Sequence, residues 1–167
     1  MNQQVLVAGA GPVGLTLALA LRRQGVAVRI VDKAVARTDK SKALVIWPRT
    51  LELLDIQGCA PAFIDAGVRA SGARILGEGR ELVHAHFDLA SSAFPFALLI
   101  PQSETERLLE QALAAAGLQV ERQLVARGVG AHPQRVRARL RHADGRVDPA
   151  SPAWLAACDG AHSTVRH

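Results

Sequence analysis

The feature that most constrains the fold is a glycine-rich turn near the start of the chain. Residues 9–14 read Gly-Ala-Gly-Pro-Val-Gly, which is the pattern Gly-x-Gly-x-x-Gly. A short apolar run at 4–8 precedes the turn, and a mostly apolar stretch at 13–24 with helical spacing follows it. A second apolar run at 27–31 then leads to Asp32. This order predicts a strand–helix–strand unit, a parallel sheet and a Rossmann-like α/β fold.

Each residue of the turn has its own physical role in binding a dinucleotide. Gly9 permits the tight turn, Gly11 lets the backbone approach a pyrophosphate, and Gly14 lets the helix pack closely on the strand. Pro12 and Val13 begin the helix, whose N-terminal N–H groups and positive dipole end suit phosphate. The sequence therefore predicts that these five residues bind the cofactor.

The acidic residue at the end of the second strand narrows the choice of nucleotide. Asp32 lies 18 residues after Gly14, where a carboxylate can bind the hydroxyls of the adenosine ribose. A carboxylate there disfavours a 2′-phosphate, so FAD or NAD is expected ahead of NADP. Lys33, which follows Asp32, is included among the predicted cofactor-binding residues.

The rest of the chain alternates between helical and extended patterns. Residues 48–57 and 103–116 predict helices, and 68–87 and 118–121 predict short strands. Ser103 is expected as the N-cap of the second helix, with Glu106 at the capping-box position. Arginines at every second position of 135–141 predict a strand with a solvent-facing basic face, and Asp-Gly at 144–145 predicts a hairpin turn.

A second motif closes the last apolar run and distinguishes between FAD and NAD. Residues 158–166 read Cys-Asp-Gly-Ala-His-Ser-Thr-Val-Arg. This segment resembles the Asp-Gly fingerprint of the class A flavoprotein monooxygenases of the para-hydroxybenzoate hydroxylase type. That fingerprint runs Asp-Gly, two residues, Ser, two residues, Arg, and all of its fixed positions are filled. The resemblance implies that Asp159 and Arg166 lie near FAD and the reduced pyridine nucleotide.

Two further segments are similar to the same family. Residues 41–43 (Ser-Lys-Ala), followed by 49–54, resemble the stretch after the ribose-binding acid, where a basic residue lies close to FAD. This chain has Lys42 where relatives often have arginine, which keeps the charge but loses the two-pronged geometry. Residues 101–106 resemble the start of the family's long helix, and the resemblance assigns Gln102 to the flavin. The resemblance covers essentially the whole chain, in the family's order.

The family resemblance implies a Rossmann-like βαβ FAD-binding domain interleaved with part of a mixed β-sheet substrate domain. Residues 1–70 would form the ADP-binding unit and the helix after it, 71–100 partial substrate-domain strands, and 101–167 the return helix, hairpin and Asp-Gly motif. The family's downstream Gly-Asp fingerprint does not occur in the 167 residues. A single truncated domain with an incomplete fold is therefore expected: a fragment, a truncated product or one half of a split protein.

The activity implied by the resemblance is hydroxylation of a phenol-like aromatic substrate with FAD, NADPH or NADH, and O2. No residue of the chain is predicted to be catalytic, because the flavin carries the difficult chemistry. The alternatives are a non-catalytic FAD- or nucleotide-binding fragment and a related flavin halogenase or reductase. The expected partners are the small aromatic substrate and O2, together with a missing C-terminal half or a second copy in a homo-oligomer.

Composition argues against several other classes of protein. The net charge of +5 raises the question of nucleic acid, but there is no dense basic run and no interleaving of aromatic residues. The longest apolar run, 13–21, is too short to span a membrane. Cys59 and Cys158 fit no metal or redox spacing, which favours free thiols and a cytoplasmic location. His84 and His86 lack an accompanying carboxylate cluster, so no metal site is predicted.

Overall fold

The computed structural model describes residues 5–37, 39, 44–87, 91–132, 135–161 and 163–165. Four helices and twelve strands are formed by these residues. In chain order they are β1 (Val5–Ala8), α1 (Pro12–Arg23), β2 (Val28–Asp32), β3 (Val45–Ile46), α2 (Pro48–Ile56), α3 (Ala60–Ala66), β4 (Val68–Ala70), β5 (Gly72–Gly77), β6 (Arg80–His86), β7 (Ala97–Leu99), α4 (Gln102–Ala115), β8 (Val120–Arg122), β9 (Leu124–His132), β10 (Arg135–His142), β11 (Val147–Ala150) and β12 (Trp154–Ala157).

The chain divides into two compact units. The first unit comprises residues 1–38 and 109–167, and the second comprises residues 39–108. The glycine-rich turn, Asp32 and the Asp-Gly motif all belong to the first unit.

The first unit is built on a parallel sheet with the strand order β12-β1-β2-β8. All four residues of β1 are buried, as expected for a central strand that is covered on both faces. Helix α1 buries Gly14, Leu15, Ala18 and Leu19, which recur at the three- and four-residue spacing of one helix face. The predicted strand–helix–strand unit and the mixed α/β fold are therefore confirmed.

An antiparallel sheet, β11-β10-β9, completes the first unit. Its inward-facing side chains join those of the parallel sheet in one apolar cluster: Leu6, Ala8, Val31, Leu124, Ala126, Ala138 and Leu140. The arginines of β10 alternate with these residues and are exposed, and the hairpin turn at 144–145 has Gly145 at φ +88°. Both features agree with the pattern read from the sequence.

The second unit contains short helices, a small sheet and a hairpin. Strands β3, β7 and β4 form an antiparallel sheet, and β5 pairs with β6. Helices α2 and α3 contribute Leu51, Leu54 and Phe63 to its buried core. His84 and His86 lie on β6 with their ring centroids 4.2 Å apart. In the described part of the chain, no group of three metal-ligating side chains comes together.

The start of helix α4 differs from the expectation. The helix begins at Gln102, so Ser103 stands within its first turn and is not the N-cap. Glu106 is buried and accepts a hydrogen bond from Gln102 Nε2 at 2.9 Å. Because the N–H groups of Glu104 and Thr105 already bond to the Pro101 carbonyl, the helix starts two residues earlier than a Ser103 cap would allow. Among the described residues, no helix is long and apolar enough to cross a membrane.

Candidate functional site

The glycine-rich turn leaves β1 in a conformation that suits only glycine. Gly9 has φ +103°, and a Cβ atom added there would lie 2.3 Å from the carbonyl oxygen of Cys158. The Gly9 N–H donates to the carbonyl of Val31 at 2.8 Å, which ties the turn to the end of β2. A side chain at this position would both strain the backbone and collide with the chain after β12.

Gly11 and Gly14 serve the turn in different ways. A Cβ atom at Gly14 would lie 1.9 Å from the Gly9 carbonyl oxygen, so the first turn of α1 can rest on the loop only without a side chain there. A Cβ atom at Gly11 would meet no atom of the described residues within 4 Å. The space over Gly11 is therefore open, and a ligand can approach the backbone there closely.

The N-terminus of α1 presents an uncapped positive end. Gly11 is its N-cap residue, Pro12 occupies the first turn, and no side chain among the described residues accepts a hydrogen bond from the helix start. The first turn holds no acidic residue, and Val13 is 72% exposed. Since the first N–H groups of a helix have no partner within it, this end favours a phosphate or another anion.

Asp32 fixes the turn from the neighbouring strand. Its Oδ2 accepts the Ala10 N–H at 2.6 Å, and its Oδ1 accepts the Ala34 N–H at 2.7 Å. Each carboxylate oxygen has a second acceptor position, so a pair of ribose hydroxyls can still be bound. The two backbone N–H groups therefore fix the orientation of the carboxylate in the absence of a ligand.

Sequence reasoning missed a basic residue that lies beside this carboxylate. Arg122 ends β8 and stands opposite Asp32 in the parallel register, with Nη1 3.7 Å from Asp32 Oδ1. Its guanidinium also pairs with Glu110 of α4. The sequence shows an arginine after a short apolar run, but it contains no signal for which strand lies next to β2.

The Asp-Gly motif folds back on itself beside the glycine-rich turn. Asp159 Oδ2 accepts the N–H groups of Thr164 at 2.6 Å and Val165 at 3.2 Å. Burial raises the pKa of Asp159, but hydrogen bonds from the Ser163 side chain and those N–H groups outweigh it and lower the pKa below its usual value. A Cβ atom at Gly9 would lie 2.8 Å from the Asp159 nitrogen, so the two motifs are in contact.

One oxygen of the Asp159 carboxylate is left for a ligand. Asp159 Oδ1 is buried and has no hydrogen-bond partner within the part of the chain that the structure describes. A buried acceptor of this kind is costly unless something bonds to it. A hydroxyl or an N–H group of a bound cofactor would supply the missing hydrogen bond.

Cys158 lies between β12 and the Asp-Gly motif and is a free thiol. Burial, and then the nearby charge of Asp159, raise the pKa of its thiol above the usual value. Its Cβ atom would lie 3.2 Å from a Cβ atom at Gly14, so this side chain forms part of the packing under the turn. The chemistry of a protonated, half-buried thiol is that of a small apolar group.

The remaining predicted site residues have different positions. Lys33 is exposed and directly follows Asp32 at the end of β2. Gln102 belongs to the second unit, where its amide bonds to Glu106. Lys42 and Arg166 lie outside the described residues.

The first unit has the features that the ADP half of a dinucleotide requires. The open approach at Gly11 and the uncapped helix start suit the pyrophosphate, and Asp32 suits the ribose. The orphaned Asp159 oxygen suits a further polar group of the same ligand. The residues present therefore fit FAD, with Gly9, Gly11, Gly14, Asp32 and Asp159 as the candidates to hold it.

The profile of the family described as "FAD binding domain" matches residues 2–167. The chain belongs to this FAD-binding family. It is 39% identical over 165 residues to 6-methylpretetramide 4-monooxygenase of Streptomyces rimosus, covering 98% of this chain and 29% of that protein. Pentachlorophenol 4-monooxygenase of Sphingobium chlorophenolicum is 33% identical over 164 residues, covering 97% of this chain and 30% of its own length.

The solved structures give the same picture. Anhydrotetracycline hydroxylase from Streptomyces rimosus superposes with a TM-score of 0.87 and 32% identity, over 99% of this chain and 33% of that one. The FAD-binding chain thus spans about three tenths of the length of the curated relatives it matches. It corresponds to the N-terminal part of class A flavin aromatic monooxygenases, so the resemblance read from its motifs is confirmed.

Proposed function

We propose that the protein hydroxylates a phenol-like aromatic compound by using FAD, O2 and reduced nicotinamide. The observation that carries the proposal is the arrangement of the glycine-rich turn, Asp32 and Asp159 in one unit, in a chain of the FAD-binding family. When bound, FAD would supply the redox chemistry: acceptance of hydride and activation of oxygen.

The contribution of this chain's own residues is binding and orientation. Gly9 and Gly14 let the turn close onto β12 and α1, and Gly11 leaves room for the pyrophosphate. Asp32, oriented by two backbone N–H groups, would hold the adenosine ribose. The buried Oδ1 of Asp159 would accept a hydrogen bond from the cofactor.

Three other predicted residues belong to the proposed cofactor site, and two of them, Lys42 and Gln102, are assigned on the family resemblance. Lys33 and Lys42 would contribute positive charge near the dinucleotide, and Gln102 would contact the flavin. An aromatic substrate is supported by the two relatives, which are monooxygenases of 6-methylpretetramide and of pentachlorophenol. Those relatives favour monooxygenation over the halogenase and reductase alternatives.

The first experiment is a titration of the purified 167-residue chain with FAD, followed by flavin fluorescence and by thermal melting. Saturable quenching with a rise in melting temperature is expected, because a ligand that binds only the folded state stabilises it. Turnover is then tested as phenol-dependent oxidation of NADPH and NADH with detection of the hydroxylated product. A folded chain that neither quenches nor stabilises with FAD would contradict the proposal.

A second candidate function is FAD binding without turnover by these residues alone. The relatives' activities belong to proteins about three times as long, of which this chain matches 29–30%. FAD binding with no phenol-dependent nicotinamide oxidation would favour this candidate over the first.

A further inference from the structure

Four charged side chains form a continuous network at the ribose end of the candidate FAD site. Arg122 Nη1 lies 3.7 Å from Asp32 Oδ1, and Arg122 also pairs directly with Glu110. Glu110 Oε2 in turn lies 3.0 Å from Nε of Arg37. All four residues belong to the first unit, and the backbone elements that carry them are β2, β8, α4 and the segment after β2.

The network is more sheltered from solvent than an ordinary surface ion pair. The side chains of Asp32 and Arg122 are 16% and 19% exposed, and that of Glu110 is 25% exposed. By contrast, the exposed pair of Arg49 and Glu52 has an arginine that is 75% exposed. Screening by water and salt is weaker for the sheltered pairs, so their charges act on a nearby ligand more strongly.

The signs of the charges cancel across the network. Asp32 and Glu110 contribute two negative charges, and Arg122 and Arg37 contribute two positive ones. An arginine beside the acid at the end of β2 is the residue type that binds a 2′-phosphate in NADP sites. Here that arginine, Arg122, is paired with Glu110, and Asp32 is the residue that would bind the ribose.

We propose that Glu110 and Arg122 are positioning residues that make this site select a free ribose 2′-hydroxyl over a 2′-phosphate. Glu110 holds Arg122 beside Asp32 and neutralises the charge of Arg122. A 2′-phosphate at this position would therefore be repelled by the Asp32 carboxylate and would find no unpaired cation to bind. The inference rests on the proposed function, because it concerns the adenosine end of the same FAD site. It assigns the selectivity to residues outside the glycine-rich turn.

The test compares two probes that differ only at the 2′ position, ADP-ribose and 2′-phospho-ADP-ribose. Their dissociation constants are measured by competition against FAD for the wild-type chain and for Glu110→Gln, Arg122→Gln and Glu121→Gln. The last variant is the matched control, because Glu121 also lies on β8 and pairs with Arg29 by two hydrogen bonds without contacting Asp32.

Opposite changes are expected from the two network variants. Glu110→Gln frees Arg122 and Arg37 for a phosphate, and should lower the preference for ADP-ribose by about tenfold. Arg122→Gln removes the cation and should raise the preference for ADP-ribose. Glu121→Gln should leave the ratio of the two dissociation constants unchanged. Melting curves of all three variants identify any general loss of stability, which affects both probes equally.

Two results would overturn the inference in distinguishable ways. If the wild-type chain binds FAD but Glu110→Gln and Arg122→Gln keep the wild-type ratio of affinities, the network is only structural and the proposed function stands. If the wild-type chain binds neither FAD nor ADP-ribose, the proposed function fails together with this inference.

Discussion

The carboxylate of Asp32 accepts the backbone N–H of Ala10 at 2.6 Å, across a separation of 22 residues in the sequence. This bond joins the end of β2 to the middle of the glycine-rich turn. It means that the residue assigned to the ribose also holds the loop assigned to the pyrophosphate. The two halves of the candidate ADP site therefore depend on one side chain.

Replacing Asp32 by alanine is expected to weaken FAD binding by about ten- to a hundredfold. Hydrogen bonds to a charged group contribute roughly 1.5–3 kcal/mol each when they are formed in a sheltered site. The dissociation constant for FAD, measured by fluorescence quenching, checks this. Asp55→Asn, at an exposed position of α2, is the control and should bind as the wild type does.

The role proposed for Asp32 at the ribose can be tested separately from its hydrogen bond to the loop. The wild-type chain should bind ADP more tightly than 2′-deoxy-ADP, and the Asp32→Ala variant should show a much smaller difference. An undiminished preference for ADP in the variant would show that another group binds the 2′-hydroxyl.

Alanine at Gly11 and alanine at Gly14 are expected to fail in different ways. At Gly14 the added Cβ atom would lie 1.9 Å from a backbone oxygen, so the chain should lose about 1–3 kcal/mol of stability or fail to fold. At Gly11 the φ angle is −77° and the added atom lies more than 4 Å from any atom that the structure describes, so the variant should fold normally. Its affinity for FAD should nevertheless fall by about tenfold or more, because the methyl group fills the approach of the pyrophosphate.

Melting curves and FAD titrations of the two variants distinguish these effects. Gly130→Ala is the matched control, since it lies on β9 and its added Cβ atom also meets no atom within 4 Å in the described part of the chain. Normal FAD binding by a folded Gly11→Ala variant would place the pyrophosphate elsewhere.

The thiol of Cys158 is expected to resist alkylation at pH 8. Burial raises the pKa of this thiol, and the thiolate is the reactive form, so the folded chain should react more slowly than the chain unfolded in urea. The difference should narrow as the pH rises above the usual range for a thiol. Iodoacetamide labelling, read by mass spectrometry of the peptide that contains Cys158, measures both rates. Equal rates in the folded and unfolded chains at pH 8 would contradict the expectation.

Features encoded within a short stretch of sequence were predictable, and features that depend on distant contacts were not. The strand–helix–strand unit and the hairpin turn at 144–145 follow from the local spacing of glycine and apolar residues, and the structure has both. The position of Arg122 opposite Asp32 depends on which strand pairs with β2 and in which register. Register is set by packing of the whole sheet, so no local pattern could supply it.

Two smaller differences between the predicted and the observed structure concern helices α3 and α4. Helix α3 is seven residues long and contains proline in its first turn, and such a short segment lacks enough periodicity to be recognised. Helix α4 begins before Ser103, although serine followed by glutamate three residues later is a typical helix start. There the buried Glu106 bonds to Gln102, four residues earlier in the same helix, and not to the start of a helix capped by Ser103.

Acid sensitivity is expected to arise in part from Asp159. Its pKa in the folded chain lies below the usual value for aspartate, which is about 3.9 in an unfolded chain. A carboxyl group whose pKa is lowered by folding stabilises the folded chain at pH values above the pKa of the unfolded chain. This contribution is lost as the pH falls through the pKa of the folded chain. Asp159→Asn should therefore be less stable than the wild type at pH 7 by about 1–2 kcal/mol, and the difference should shrink between pH 5 and pH 3. Urea unfolding at each pH measures the difference in stability between the variant and the wild type. Asp65→Asn, on the exposed side of α3, is the control. A difference in stability that stays constant down to pH 3 would assign the turn's stability to groups other than the Asp159 carboxylate.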